Sequence, residues 1–421
     1  KMLKQILKKF APAFLISWYH FLWAFFGAVF YGFPGRKIKV IGITGTNGKT
    51  TTANLICAIL EEAGYKVAVA SSIKFKIGQK EQENKFKMTM PGRAYLQKFL
   101  RQAVKAKCEY AIIEATSEGV LQHRHRFIDF QTMVFTNLSA EHIERHKGFE
   151  NYRAAKGEYF KACKGTHIVN LDDENIEYFL KFPAAQKFGY SLGISNFQTI
   201  KAENVREENS GCYFSVQGAD FYLPLIGKFN VYNALAAICV ELSQGVSLAV
   251  CQKALAKVNG VPGRMEEVVI SPFRVVVDYA FTPNALEQVY QTLISNFQFP
   301  ISKLVCVLGA CGGGRDKWKR PILGQIAAKY CDDIILTNED PYDEPSMDII
   351  NQIAEGAGER VIKILDRREA IRKALELARP GDTVVITGKG CEPWICVENE
   401  KRVVWDDRQV VREEFEKLNL T

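Results

Sequence analysis

The feature that most constrains this chain is the stretch Lys39-Val-Ile-Gly-Ile-Thr-Gly-Thr-Asn-Gly-Lys-Thr-Thr-Thr52. It opens as an apolar, β-branched run, tightens through Gly45 and Gly48, and continues into the apolar-periodic residues 53–62. That order predicts a strand, a glycine-rich turn and a helix. Such a turn aims several backbone N–H groups and the positive end of a helix dipole at one point, which suits a phosphate. Lys49 would add a mobile positive charge near the β- and γ-phosphates, and the Thr50 hydroxyl could ligate Mg²⁺. The generic phosphate-loop spacing asks for glycine at position 43, where this chain has Ile43. The plainer alternative is a tight strand–helix turn with an incidental lysine.

A chain of 421 residues exceeds one ordinary core, so two or three domains are expected. Between residues 37 and 261 the pattern alternates strands (39–43, 66–70, 110–114, 132–136, 167–170) with helices (53–63, 94–106, 152–163). That is the alternation of a doubly wound sheet. Residues 200–225 read as an antiparallel meander and 230–244 as a helix. Gly260-Val-Pro-Gly-Arg264 reads as a hinge. Beyond it strands at 274–278, 304–308, 334–337, 361–365 and 383–387 alternate with helices at 285–295, 321–329, 347–355 and 367–378. The expected fold is α/β. A hydrophobic N-terminal helix (1–35) precedes a central P-loop doubly wound ATPase domain (36–262) and a C-terminal Rossmann-like α/β domain (263–421).

Lysine and arginine are scattered and the formal charge is a modest +8, so no nucleic-acid stripe is expected. The same balance suits a phosphate-rich substrate. Eleven cysteines, an odd number without paired short spacings, argue against a disulfide framework and against zinc. Most should be reduced and buried, as in a cytosolic protein. Lys1, Lys4, Lys8 and Lys9 precede residues 13–33, an aromatic-rich run without a charged residue. Its length permits a bilayer span. A helix in the membrane interface and a helix packed on the protein are the other arrangements, and Trp18, Tyr19, His20 and Trp23 favour the interface.

Three further places carry chemistry. The strand at 110–114 ends on Glu114, and ligands of such sheets bind beyond the carboxyl ends of strands. A carboxylate there could hold Mg²⁺, or be a solvated strand end. Glu141-His142-Ile-Glu-Arg-His146 could be a metal cluster or a polar loop. Lys156, taken alone, reads as a solvated helix residue.

Together these segments resemble the Mur ligases, the ATP-dependent amino-acid ligases of peptidoglycan precursor synthesis. Thr44-Gly-Thr-Asn-Gly-Lys-Thr-Thr-Thr52, Phe135-Thr-Asn-Leu138, Glu141-His142 and Asn151-Tyr-x-Ala-Ala-Lys156 occur in the order that family shows. The resemblance is strongest to the branch that adds the third residue of the stem peptide. Folylpolyglutamate synthetases and the cyanophycin synthetase ligase domain belong to the wider superfamily. What the resemblance implies is an amide bond made through an acyl phosphate. Gly45, Thr46, Asn47, Gly48, Lys49, Thr50, Thr51 and Asn137 would cradle ATP, with Asn230 and Asn233 at the adenine. Asp278 would meet the ribose and Arg264 the transferring phosphate. Two Mg²⁺ ions would be held by Thr50, Glu114, His142 and Lys156, the lysine carrying a CO₂-derived carbamate. Ser117 and Arg124 would contact the muramoyl-peptide acceptor, and Arg315, Asp340, Gly388 and Glu392 the incoming amino acid.

This chain departs from the family at several positions. Tyr342 stands where diaminopimelate-adding members carry arginine, and a phenol cannot clamp a distal carboxylate as a guanidinium does. The diaminopimelate assignment is thereby put in doubt, with lysine, ornithine or another amino acid left open. Glu118, Phe281 and Cys391 each replace a histidine. Of the family's uridine-nucleotide domain only Phe30-Tyr-Gly-Phe-Pro34 finds a counterpart, so a lipid-linked or otherwise anchored muramoyl peptide stands as an alternative to the UDP-linked acceptor. The expected partners are a muramoyl peptide and an amino acid, with no nucleic acid. A cytoplasmic monomer is expected, peripheral at the inner membrane face if residues 13–33 touch lipid. The other classes are a ligase on another acceptor and a nucleotide-binding switch without ligation. Lys156, His142 and Arg264 speak against the switch, which needs no acyl-phosphate site.

Overall fold

Apolar β-branched runs followed by amphipathic helices fold as parallel strands with helices on both faces, and this chain does so twice. The computed structural model describes residues 12–86, 88–92, 94–193, 199–295 and 303–418. The first sheet holds β1 (Lys39–Thr44), β2 (Val67–Ala70), β3 (Lys74–Ile77), β4 (Lys80–Glu83), β5 (Tyr110–Glu114), β6 (Phe130–Phe135), β7 (Thr166–Asn170), β8 (Gln186–Ser191) and β9 (Thr199–Lys201). Their spatial order is β4-β3-β2-β5-β1-β6-β7-β8-β9. All are parallel except the β3–β4 hairpin at one edge. β1 lies between β5 and β6. The chain leaves β1 toward one side and crosses to the other after β5, so the carboxyl ends of these strands open on a crevice.

Alternate residues of β1 explain why both faces are covered. Ile41 and Ile43 join a core with the helices Lys49–Glu62 and Lys228–Ser243, while Val40 joins one with Tyr95–Lys105 and Phe149–Ala162. The expected meander is a three-stranded antiparallel sheet of β10 (Glu203–Glu208), β11 (Gly211–Val216) and β12 (Ala219–Leu223). The second large sheet holds β13 (Glu266–Val269), β14 (Arg274–Asp278), β15 (Leu304–Leu308), β16 (Asp333–Leu336), β17 (Val361–Lys363) and β18 (Thr383–Thr387). Its order is β13-β14-β18-β15-β16-β17, with β13 antiparallel at the edge and a core on each face.

Sequence reading missed the β3–β4 hairpin and the helix Leu248–Leu255. Strand β4 is Lys-Glu-Gln-Glu and wholly exposed, so it shows no apolar alternation. The cysteine reading needs one correction: Cys306 and Cys331 form a disulfide. Cys306 lies in β15 and Cys331 just ahead of the neighbouring β16, an adjacency made by strand order and not by spacing. Eight of the nine free cysteines are buried and Cys311 is half-buried. The N-terminal helix spans Ala13–Phe30 and lies against the protein through Ala24, Gly27 and Ala28. Among the described residues no helix is long and apolar enough to cross a membrane, which removes the span from the three arrangements considered. Lys1, Lys4, Lys8 and Lys9 lie outside the described residues.

Candidate functional site

The loop after β1 needs glycine at two places. Gly45 (φ 155°) passes so close to β6 that a Cβ would lie 1.8 Å from Thr136 Oγ1. Gly48 is left-handed (φ 81°) where the helix begins, and its Cβ would lie 2.4 Å from Asn233 Oδ1. The loop is pinned from the end of β6. Thr46 N donates to Asn137 O (2.9 Å), Asn47 N to Asn137 Oδ1 (2.9 Å), and Thr136 Oγ1 to Asn47 O (2.7 Å). Asn137 therefore shapes the loop. Asn233 does similar work from the helix Lys228–Ser243, accepting from Thr52 Oγ1 at 3.2 Å and donating to Asn230 Oδ1 at 3.0 Å.

Two lysines converge on this loop. Lys49 Nζ donates to Gly45 O (2.9 Å) and Thr46 O (2.7 Å), and Lys156 Nζ donates to the same Gly45 O (2.6 Å). Lys156 is buried in the helix Phe149–Ala162, its ammonium 4.7 Å from the Tyr152 ring centroid. It is not the solvated residue its local sequence suggested. Burial pushes its pKa well below the ordinary lysine value, and the charge of Lys49 pushes the same way. Lys49 is lowered too, by burial first, against the attraction of Glu114. Glu114 is fully buried at the end of β5, held by Ser72 N at 2.9 Å and Ser72 Oγ at 3.0 Å. The solvated alternative for Glu114 is thereby ruled out.

The second sheet supplies the facing wall. His142 has its side chain 46% exposed, toward the cleft, and its Nδ1 lies 3.9 Å from Glu141 Oε1 and 3.8 Å from Asp316 Oδ2. Asp316, from the glycine-rich loop after β15, accepts from the N–H groups of His142 (2.8 Å) and Ile143 (2.9 Å). Lys319 Nζ pairs with both oxygens of buried Glu141, at 3.0 and 3.2 Å. Desolvation lowers the His142 pKa to about 4, with Asp316 opposing and Lys319, Lys156 and Lys49 reinforcing the fall. The ring is neutral near pH 7 and able to ligate a cation. Burial lifts Glu141 to about 7, against the pull of Lys319. Ligand atoms of Glu141, His142 and Asp316 all lie within 4.8 Å of one another. Of the segment read as a metal cluster or a polar loop, Glu141 and His142 stand with Asp316, while His146 Nε2 faces Ser117 Oγ at 3.0 Å.

These residues line one cleft of about 340 Å³, ordinary for a small-molecule site. Thr50, Thr51, Ser117, Asn230, Asn233, Arg264, Asp278, Arg315, Asp340 and Glu392 reach it as the sequence suggested. Arg264 sits 4.3 Å over the Tyr279 ring, and Asp278 accepts from Met265 N (2.7 Å) and Ala280 N (2.6 Å). Lys389 Nζ bridges Asp340 (3.1 Å to each oxygen) and Glu392, whose other oxygen accepts from Tyr279 OH at 2.8 Å. Asn137 pins the glycine loop from the end of β6, and with Arg124 and Gly388 makes three expected residues that do not line the cleft. Arg124 is buried behind it, donating to Met90 O and to Gln122 Oε1. Gly388 stands behind Glu339, whose Oε2 would lie 2.6 Å from a Cβ there. Sequence reasoning missed Ser72, Thr89, Lys319 and Glu339. Of these only Lys319 carried a local signal, lying in the glycine-rich motif with Arg315.

The Mur ligase middle domain matches residues 43–241, and the Mur ligase glutamate ligase domain matches residues 263–390. The chain belongs to the Mur ligase family. It is 40% identical over 403 residues to a UDP-N-acetylmuramoyl-L-alanyl-D-glutamate–2,6-diaminopimelate ligase of Syntrophomonas wolfei, covering 93% of this chain and 81% of that one. A UDP-N-acetylmuramyl-tripeptide synthetase of Roseiflexus is 37% identical over 417 residues, with the same two coverages. A solved diaminopimelate ligase aligns with TM-score 0.60 at 32% identity, over 91% of this chain and 79% of that one. Mycobacterium tuberculosis folylpolyglutamate synthase, solved with ADP and AMPPCP, shares the fold at TM-score 0.71 and 18% identity, over 92% and 95% of the two chains.

Proposed function

We propose that this protein is an ATP-dependent ligase that joins a diamino acid to the carboxylate of a muramoyl peptide in peptidoglycan precursor synthesis. The observation that carries the reading is the convergence of Lys49 and Lys156 on Gly45 O, beside buried Glu114 and opposite Arg264. The glycine loop offers backbone N–H groups and Lys49 to the phosphates of ATP, and Asp278 stands ready for its ribose. An acceptor carboxylate oxygen attacks the γ-phosphorus, the bond to the β-bridging oxygen breaks, and ADP leaves. The amine of the incoming amino acid then attacks the acyl phosphate carbon. Phosphate departs with the C–O bond electrons, and the amine loses a proton as the amide forms. Both steps need placement and charge neutralisation more than covalent help from the protein. Arg264 and Lys49 supply positive charge to the transferring group.

The donor set fits divalent metal ions: the Thr50 hydroxyl, the Glu114 carboxylate fixed by Ser72, and the neutral ring of His142. Mg²⁺ bound there would neutralise phosphate charge. Burial and Lys49 lower the pKa of Lys156, which favours the neutral amine that attacks CO₂, and loss of one proton then gives an N-carboxylate. That places an anionic ligand beside the metal site. Residues 36–262 and 263–421 act as two domains whose approach completes the cleft through Asp316 and Lys319.

The amino-acid end also has a reading. Arg315 lies 4.7 Å over the ring of Tyr342. One guanidinium therefore occupies the region where Tyr342 replaces the family's arginine, and a distal carboxylate has a partner after all. Buried Asp340 and half-buried Glu392, which share Lys389, suit the ammonium groups of a diamino acid. The deciding experiment measures phosphate release with ATP, a muramoyl dipeptide and each of a panel of amino acids. Release only when both acceptor and amino acid are present is expected. Release that ignores both would instead mark a nucleotide switch.

A further inference from the structure

We infer that the helix Ala13–Phe30 and the basic face of the helix Tyr95–Lys105 form one docking surface for an anionic lipid bilayer. The first helix carries no charged residue. Phe14, Trp18, Leu22, Phe26 and Phe30 follow one another at four-residue intervals and are all exposed, Trp18 at 60%, Phe26 at 59% and Phe30 at 81%. Helices on a protein surface normally turn polar residues outward, and an apolar patch of this extent marks an interaction site. The inward side is firmly seated. Gly27 lies against Ala94, the rings of Phe21 and Phe25 pack on Phe127, and Ser17 Oγ is 2.7 Å from His123 Nε2. The apolar ridge is therefore presented by the fold.

Charge identifies the occupant. The helix Tyr95–Lys105 packs beside the first and has no acidic residue. Its Lys98, Arg101 and Lys105, with Lys37, line a hollow that also takes in Phe30, and no carboxylate lines it. Aromatic side chains at headgroup depth beside cations that meet lipid phosphates are the chemistry of an interfacial helix on an anionic membrane. A second copy of this chain would bring like charges together at the same place. An apolar protein partner would leave the cations unmatched. With no described helix able to cross a membrane, the contact lies in the interface plane. This surface is separate from the ATP cleft and stands whichever substrate that cleft takes.

The test is co-sedimentation of the full chain with vesicles of phosphatidylcholine alone or mixed with phosphatidylglycerol, with oligomeric state read by light scattering. Binding to the mixed vesicles that weakens with salt is expected. The triple change Lys98→Gln, Arg101→Gln, Lys105→Gln should lower that partitioning on the order of a hundredfold while leaving phosphate release unchanged. The change Trp18→Ser with Phe26→Ser should abolish binding, with circular dichroism confirming the fold. Three results would overturn the assignment: no binding of the unchanged chain to mixed vesicles, equal binding by the charge-removed variant, or a stable dimer that dissociates when Trp18 and Phe26 are changed.

Discussion

Three lysines line the cleft and a fourth, Lys389, is buried behind its wall, and the two halves of the molecule hold them differently. On the side of the second sheet, Lys319 pairs with Glu141 and Lys389 with Asp340 and Glu392. On the side of the first sheet, Lys49 and Lys156 have only the carbonyl oxygens of the glycine loop within hydrogen-bond distance, among the described residues. A buried cation without a carboxylate either loses its proton or awaits an anion. The contrast separates a wall whose lysines are paired with carboxylates from one whose lysines meet only backbone carbonyls.

That contrast can be broken from either side. The largest effect is expected from Lys49→Ala, which should lower the rate of phosphate release about 10³-fold with little change in melting temperature. A large loss of stability with an intact rate per folded molecule would make the lysine structural. On the paired side, Lys319→Met strands a buried carboxylate and should lower unfolding free energy by about 3 kcal/mol or more, measured by denaturant titration. The double variant Glu141→Gln with Lys319→Met should recover most of that loss. Lys156→Ala should lower kcat about 10²-fold, with partial recovery by added acetate, whereas Lys156→Arg should not recover. Full activity of Lys156→Ala would remove the carbamate from the mechanism.

The pH dependence carries two opposite signs. Glu141 is raised to about 7 in the fold, so its contribution is present below the unfolded carboxylate value and is lost as pH rises toward 7. His142 is lowered to about 4, so stability is gained as pH rises from about 4 to the unfolded imidazole value. Glu141→Gln should remove the first, leaving a stability that rises between those limits when followed by thermal melts. The smallest effect should come from Tyr342→Arg. A second guanidinium beside Arg315 should shift the kcat/KM ratio of diaminopimelate over lysine by about tenfold.

Much of the fold was legible because its causes are local. Glycine conformations, β-branched runs and the change from a two-residue to a 3.6-residue period act over a few residues, so β1, its loop and the following helix could be read directly. The exposed hairpin β3–β4 escaped because lysine and glutamate show no buried face. Lys49 was legible from its glycine-rich loop, whereas Glu114, His142 and Lys156 drew attention only through the family resemblance, since their local sequence fits a solvated strand end, a polar loop and a solvated helix residue equally well.

Other features exist only once distant segments meet. Ser72 reaches Glu114 because β2 and β5 are neighbours, and Asp316 reaches His142 across 174 residues. Arg315 stacks on Tyr342 although the two lie in separate loops of the second unit. Arg124 turns away because Met90 O and Gln122 Oε1 accept from its two terminal nitrogens in the interior. The sequence by itself determined the phosphate loop, the two α/β units and the family, since these follow from local backbone preference and short motifs. The tertiary structure alone decided which lysines lack a carboxylate and which way the aromatic helix faces, because burial and charge pairing depend on what the remote chain brings alongside.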